Sequence, residues 1–176
     1  MSDKSVSPHL SPSRRALVGG LGALAIAGDF DLAHAAEDAG KIWGVYTGKD
    51  MKSYLCELTS GASVPVYRGF ITPPAPPPSW QDAHPSSFWG GITMIMQGEL
   101  EIGVTGGTMK TALGKVGDIF VLIDTQGDGH TSARKGSEPL MTVQARFKEP
   151  WTALKKMKGW PDNVLPPKEF GAPVNF

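Results

Sequence analysis

Apolar and polar positions alternate over short stretches in the second half of the chain. Alternation with a period of two is typical of β-strands that bury one face. Four stretches are apolar or alternating: residues 92–97, 100–104, 119–123 and 140–147. Gly98 separates the first two, and Gly106 and Gly107 follow the second, where they offer the positive φ angles of a tight hairpin turn. The spacing predicts a meander of antiparallel strands without crossover helices.

The flanking parts of the chain extend this pattern. Three earlier stretches also predict strands: residues 42–47, 53–58 and 64–71. After Pro150, three apolar side chains recur at helical spacing, namely Trp151, Leu154 and Met157, with lysines largely on the other face. We expect a short helix that packs through this apolar face, followed by a tail that lies over the strands or over a neighbouring subunit.

The spacing of glycine and histidine residues between the predicted strands resembles two motifs of the cupins, which are small β-barrels of the jelly-roll type. The first cupin motif, G(X)5HXH(X)3-4E(X)6G, aligns through Gly98 and places His84 at the first histidine. Ser86 then stands at the second histidine, and Gly91 stands at the glutamate. Only the first metal ligand of this motif is present.

The second cupin motif, G(X)5PXG(X)2H(X)3N, begins at Gly117 and has its histidine at His130, with two extra residues between its halves. Arg134 stands where the motif has asparagine. Residues 117–130 resemble small bacterial cupin-domain proteins in which this motif runs from GD to D-T-x-G-x-G-H. The resemblance implies an all-β, single cupin-type jelly-roll barrel, to which the residues after Pro150 add a short C-terminal helix and a Pro-rich tail. It implies no particular reaction.

The Pro-rich residues 72–79 lead into the first motif. Proline donates no backbone hydrogen bond, so we expect this segment to run as polyproline II across the barrel mouth rather than within a sheet. A segment recognised by another protein is the alternative interpretation.

The histidines at cupin ligand positions suggest a metal site that has lost ligands. Cupin metal sites combine three histidines with a carboxylate, donors that suit divalent transition metals. Here only His84 and His130 match, and neither Ser86 nor Gly91 replaces a missing ligand. Gln81, Asp82, Glu99 and Asp128 are the nearby alternatives as donors. We expect at most a degenerate site, and a divalent transition metal is the cofactor that the pattern suggests.

Three aromatic residues bracket the first histidine: Trp80, Phe88 and Trp89. We expect them to line the barrel mouth and, with His84 and His130, to bind a small organic molecule against apolar walls. Core packing or a subunit contact is the alternative role for these aromatics.

Three functions remain open at this point, and no catalytic residue is assigned. The first is a binding protein for a small organic molecule. The second is a metal-dependent enzyme, such as a dioxygenase, isomerase or decarboxylase, in which substrate, water or an unmatched carboxylate completes the metal site. The third is a structural or assembly module.

The amino-acid composition limits the classes of binding partner that the chain could have. The 176 residues include 17 basic and 17 acidic side chains and 40% hydrophobic residues, which fits one globular barrel domain and no nucleic-acid-binding surface. Cys56 is the single cysteine, so an intramolecular disulfide is excluded, and we expect a buried small side chain rather than a reactive thiol. Apolar strand edges and the aromatic tail predict a homodimer.

The first 35 residues resemble a twin-arginine signal peptide. Arg14 and Arg15 precede a weakly apolar run, and residues 33–35 read Ala-His-Ala, a typical cleavage site. The run of about 13 residues is shorter than the roughly 20 that span a bilayer, and its glycines weaken the alternative of an amphipathic helix. We expect residues 1–35 to be removed, residues 36–149 to form the barrel and residues 150–176 to pack on it. The mature protein would be periplasmic or secreted, without stable membrane association.

Overall fold

Strands dominate the protein and form two sheets. The structure, a computed structural model, describes residues 28–31, 40–76 and 79–169. The larger sheet contains, in spatial order, β1 (Gly28–Asp31), β4 (Ser63–Ile71), β11 (Met141–Phe147), β6 (Gly91–Gln97), β9 (Ile119–Ile123), β2 (Ile42–Thr47) and β3 (Ser53–Leu58). The smaller sheet contains β5 (Ser79–His84), β10 (His130–Lys135), β7 (Glu99–Gly103) and β8 (Thr111–Gly114).

Strands β4 to β11 have the connectivity of a jelly roll. They contribute β4-β11-β6-β9 to one sheet and β5-β10-β7-β8 to the other, and all pairs among these eight strands are antiparallel. This is the two-Greek-key arrangement found in cupins. The expected all-β, cupin-type jelly-roll barrel with one short helix is therefore confirmed.

The predicted meander is wrong, because most consecutive strands lie in different sheets. β6 and β7 flank Gly98 and belong to opposite sheets. Gly98 has a φ of 75°, and a Cβ there would lie 2.8 Å from the Pro139 carbonyl oxygen, so glycine is needed for this sharp crossing. Only β2–β3 and β7–β8 pair as sequence neighbours among the described strands.

The hairpin that joins β7 to β8 has a longer loop than the predicted two-residue turn. It spans residues 104–110, and only Gly107 of the two glycines has a positive φ, of 67°. The Gly106 N–H donates instead to the Ser53 carbonyl at 2.8 Å, and its α-carbon lies against the Tyr54 ring. The conformation of this loop therefore depends on the contact of Gly106 with Ser53 and Tyr54, and the glycine pair alone does not determine it.

The larger sheet is buried on both faces. Ile42 and Tyr46 of β2 belong to an outer cluster, which is covered by Leu154 and Met157. Trp43 of β2 belongs to an inner cluster that fills the space between the sheets. A strand buried on both faces reads as a continuous apolar run, as β9 does.

Four of the described strands, β1, β5, β8 and β10, were not predicted from the sequence, and the Pro-rich segment is only partly as expected. β5 has a polar sequence, SWQDAH, that carries no apolar alternation. Ala75 and Leu140 exchange two backbone hydrogen bonds of 2.9 and 3.0 Å, so the segment does join a ladder at its non-proline residue. Residues 77 and 78 lie outside the described part.

The two ends of the described chain pack on the larger sheet. β1, within the predicted signal peptide, pairs with the edge of β4 from Gly28 opposite Val66 to Asp31 opposite Ser63. The rest of residues 1–35 lies outside the described chain. At the other end, helix α1 (Trp151–Leu154) buries Leu154, and the Leu165 N–H donates to the Thr47 carbonyl. In the described residues, no helix has the length and apolar character needed to cross a bilayer.

Candidate ligand-binding site

A cavity of about 570 Å³ lies between the two sheets. Its apolar surface is provided by Leu100, Ile102, Leu122 and Leu140, which also belong to the inner cluster. The cavity therefore rests directly on the packed core. Its volume lies in the range of roughly 300–1000 Å³ that is usual for sites that bind small organic molecules.

The remaining walls are polar because the alternation of strand β11 places polar residues inward. Thr142, Gln144 and Arg146 line the cavity, while Ala145 between them packs in the outer cluster. Strands β5 and β10 of the smaller sheet add polar side chains from the opposite side. The site thus combines an apolar base with two hydrogen-bonding walls.

The two predicted histidines lie side by side at this cavity. His84 ends β5 and His130 begins β10, and the two are direct partners in the ladder. Their ring centroids are 4.7 Å apart and the rings are tilted by 50°. Gly129 has a φ of 73°, and a Cβ there would lie 2.0 Å from the His84 carbonyl carbon. This close approach explains why glycine precedes His130.

Asp124 fixes the orientation of His130. Its carboxylate is fully buried and lies 2.9 and 3.1 Å from the Nδ1 atom of His130. It also accepts hydrogen bonds from the hydroxyls of Ser86 at 2.6 Å and Ser53 at 3.1 Å. Because a carboxylate accepts, Nδ1 carries the proton, and Nε2 is the ring nitrogen left for a ligand.

His84 is held in a similar way by backbone. Its Nδ1 lies 2.7 Å from the Asp82 carbonyl oxygen, and a carbonyl only accepts, so this nitrogen is also the donor. No hydrogen bond within the described chain engages the Nε2 atom of either histidine. The pair therefore presents two equivalent nitrogens to whatever occupies the cavity.

The predicted aromatic residues are distributed differently. Trp89 packs against the outer cluster, and neither it nor Phe88 lines the cavity. Phe88 has a φ of 56° and Gly90 a φ of 90°, and the Gly90 N–H donates to the Ser87 carbonyl at 3.0 Å, so the chain forms a tight turn at these residues. The backbone of Trp80 lies opposite Ala133, while its side chain is outside the described part.

Several residues of the site were not predicted from the sequence. Asp124 was not among the predicted site residues, although it directly follows an apolar strand and lies in the segment that resembles the second motif. The polar residues of β11 were missed because their stretch was read as apolar, whereas Gln144 and Arg146 at every second position signalled a polar inward face.

The side chains present do not fit a cupin metal centre. Ser86, at the second histidine position, donates its hydroxyl to Asp124, and Gly91, at the glutamate position, has no side chain. Both carboxylate oxygens of Asp124 already contact His130. Across the described chain, no three histidine, cysteine or acidic side chains are grouped so that they could hold a metal ion.

Of the alternative donors, Gln81 lines the cavity, whereas Asp128 is exposed and accepts a hydrogen bond from the Thr105 hydroxyl at 2.8 Å. The half-buried thiol of Cys56 lies 3.8 Å from the Gly44 carbonyl, and burial raises the pKa of this thiol to about 12. The side chain is therefore half-buried rather than buried as expected from the sequence, and its raised pKa disfavours the reactive thiolate.

Comparisons with known proteins give little further guidance. No family model matches the chain, and no curated protein matches it at a significant level. Among solved structures, the chain is similar to an ethanolamine utilization protein Q from Salmonella typhimurium LT2, with 12% identity over 61% of this chain and 96% of that chain. The TM-score of 0.25 is too low to support an inference about fold or activity.

Proposed function

We propose that this protein binds a small organic molecule in the cavity between the two sheets, with the Nε2 atoms of His84 and His130 as its polar contacts. The observation that carries the proposal is the fixed histidine pair: each Nδ1 is held by an oxygen of the protein, so both rings are oriented before a ligand arrives. Such preorganisation lowers the entropic cost of binding. The apolar base of the cavity supplies the complementary surface.

The His130–Asp124 pair supports a second candidate, an enzyme that uses acid–base chemistry. A buried carboxylate that holds the Nδ1–H of a histidine leaves Nε2 able to accept a proton from a bound substrate. Asp124 is fully buried and its contact with Nδ1 is 2.9 Å, which meets the geometric requirement for such a pair. The reaction would then take place at the same end of the cavity as binding.

The direct test is to identify the molecule that the protein carries. The protein is purified from the compartment in which it resides, denatured, and the released small molecules are measured by mass spectrometry. We expect one compound in near-stoichiometric amount, which is lost in His130→Ala and retained in Thr131→Ala. Thr131 is the matched control because it is adjacent on β10 but does not line the cavity. A compound that persists in His130→Ala would contradict the proposed site.

Metal analysis of the same samples separates the binding protein from the metal-dependent alternative. Stoichiometric transition metal in the wild type that disappears in His130→Ala would overturn the binding proposal in favour of a metal enzyme. A compound that the wild type converts to a product, while Asp124→Asn binds it without conversion, would establish the acid–base enzyme instead.

A further inference from the structure

We propose that the ligand is an organic anion whose oxyanion group is bound by Arg146. This inference rests on the proposed small-molecule site and names the chemistry of its ligand. It places the anionic group at the β11 wall, with the remainder of the molecule over the apolar base and against the histidines.

The cavity carries cationic groups without a matching carboxylate. Arg146 and Arg134 both line it, and the described lining contains no aspartate or glutamate. Asp124, the carboxylate behind His130, is occupied by that histidine and by two serine hydroxyls. A site with positive side chains and no internal counterion favours a negatively charged occupant.

Arg146 in particular is half-buried at this wall of the cavity. Burial lowers the pKa of its guanidinium, although arginine stays protonated at neutral pH. No carboxylate within the described residues forms a salt bridge with it; its guanidinium carbon lies 5.9 Å from the Phe70 ring centroid instead. A half-buried cation without a counterion is unfavourable, so an anionic ligand would supply the missing charge.

The described neighbours of Arg146 do not neutralise its charge, which leaves the guanidinium free to bind a ligand anion. Its neighbours on the inward face of β11 are neutral: the Gln144 amide donates to the Thr142 hydroxyl at 3.3 Å, which in turn contacts the Thr72 hydroxyl at 2.9 Å. These side chains fix one another and leave the guanidinium as the charged group of that wall. Its planar fork binds carboxylate or phosphate oxygens with two parallel hydrogen bonds.

The experiment compares acids with amides of the same shape. The thermal midpoint of the full-length protein is measured with benzoate, succinate and phenyl phosphate, and with benzamide and succinamide, at equal concentration and ionic strength. We expect a saturable rise with at least one of the acids and none with benzamide or succinamide. A rise with phenyl phosphate alone would assign the oxyanion as a phosphate; a rise with benzoate or succinate would assign it as a carboxylate.

Variants locate the binding. Arg146→Met should abolish the acid-dependent rise while the unliganded midpoint stays equal or increases, because the unpaired cation is gone. Arg146→Lys should retain charge but weaken binding at least about tenfold through loss of the second hydrogen bond. Lys148→Met removes an equal charge from an exposed position two residues along the same chain segment and should bind as the wild type does. Ser132→Trp, which fills the cavity from β10, should also abolish the rise.

Acids that stabilise no better than amides, or a rise that survives in Arg146→Met, would overturn this inference. Different results would contradict the proposed function. A neutral co-purified compound whose binding depends on His130 would support the proposed binding site and contradict only the proposal that the ligand is an anion. An acid-dependent rise that survives Ser132→Trp would mean that binding occurs outside the cavity, and both proposals would fall.

Discussion

Replacing Asp124 with alanine should destabilise the protein strongly, because three buried polar groups share this carboxylate. The side chain is fully buried and accepts hydrogen bonds from Ser53, Ser86 and His130. Each partner left without an acceptor costs about 1–3 kcal/mol. Some hydroxyls will reorient, so we expect a total loss of about 3–5 kcal/mol, a large part of the roughly 5–15 kcal/mol that stabilises a typical domain.

Urea unfolding followed by tryptophan fluorescence measures this loss. With a slope of roughly 2 kcal/mol per molar urea, the midpoint should fall by about 2 M. Asp128→Ala is the matched control: Asp128 is exposed and makes one side-chain hydrogen bond, so its loss should be about 0.5 kcal/mol. If the two variants differ by less than about 1 kcal/mol, Asp124 does not hold the site together and the argument for a fixed His130 fails.

Three other predictions concern the rest of the chain. Burial raises the pKa of the Cys56 thiol from its ordinary 9.0 to about 12, so iodoacetamide at pH 8 should leave this thiol unmodified in the folded protein and alkylate it in urea. The free energy of unfolding should fall as the pH rises from about 9 towards 12, because the thiol ionises first in the unfolded state. Rapid alkylation of native protein at pH 8 would contradict this. Replacing Arg14 and Arg15 with lysine should leave the precursor in the cytoplasm, as fractionation and immunoblotting would show, because the twin-arginine receptor reads the guanidinium pair; normal processing would refute the signal. Light scattering at micromolar concentration should give the mass of a dimer, and a monomeric mass would exclude the homodimer.

The sequence alone determined most of the strands and the position of the histidine pair. Period-two alternation and continuous apolar runs are both local properties, so β2, β3, β4, β6, β7, β9 and β11 could each be placed from their own residues. Glycine spacing likewise indicated His84 and His130 as a pair, because the motif encodes a tight approach of backbone. The buried face of the C-terminal segment, Leu154 and Met157, followed from helical spacing, although the helix itself is only one turn.

Tertiary structure decided what those residues meet. Ser53, Ser86 and His130 converge on Asp124 from separations of 71, 38 and 6 residues, and no local pattern encodes such a convergence. The sheet assignment of each strand was equally hidden, because crossing at Gly98 depends on the approach of residues 138–140. The inward direction of Arg146 is fixed by the register of β11 with β6, opposite Gly91. Alternation shows that a strand has two faces; only packing decides which face encloses the cavity.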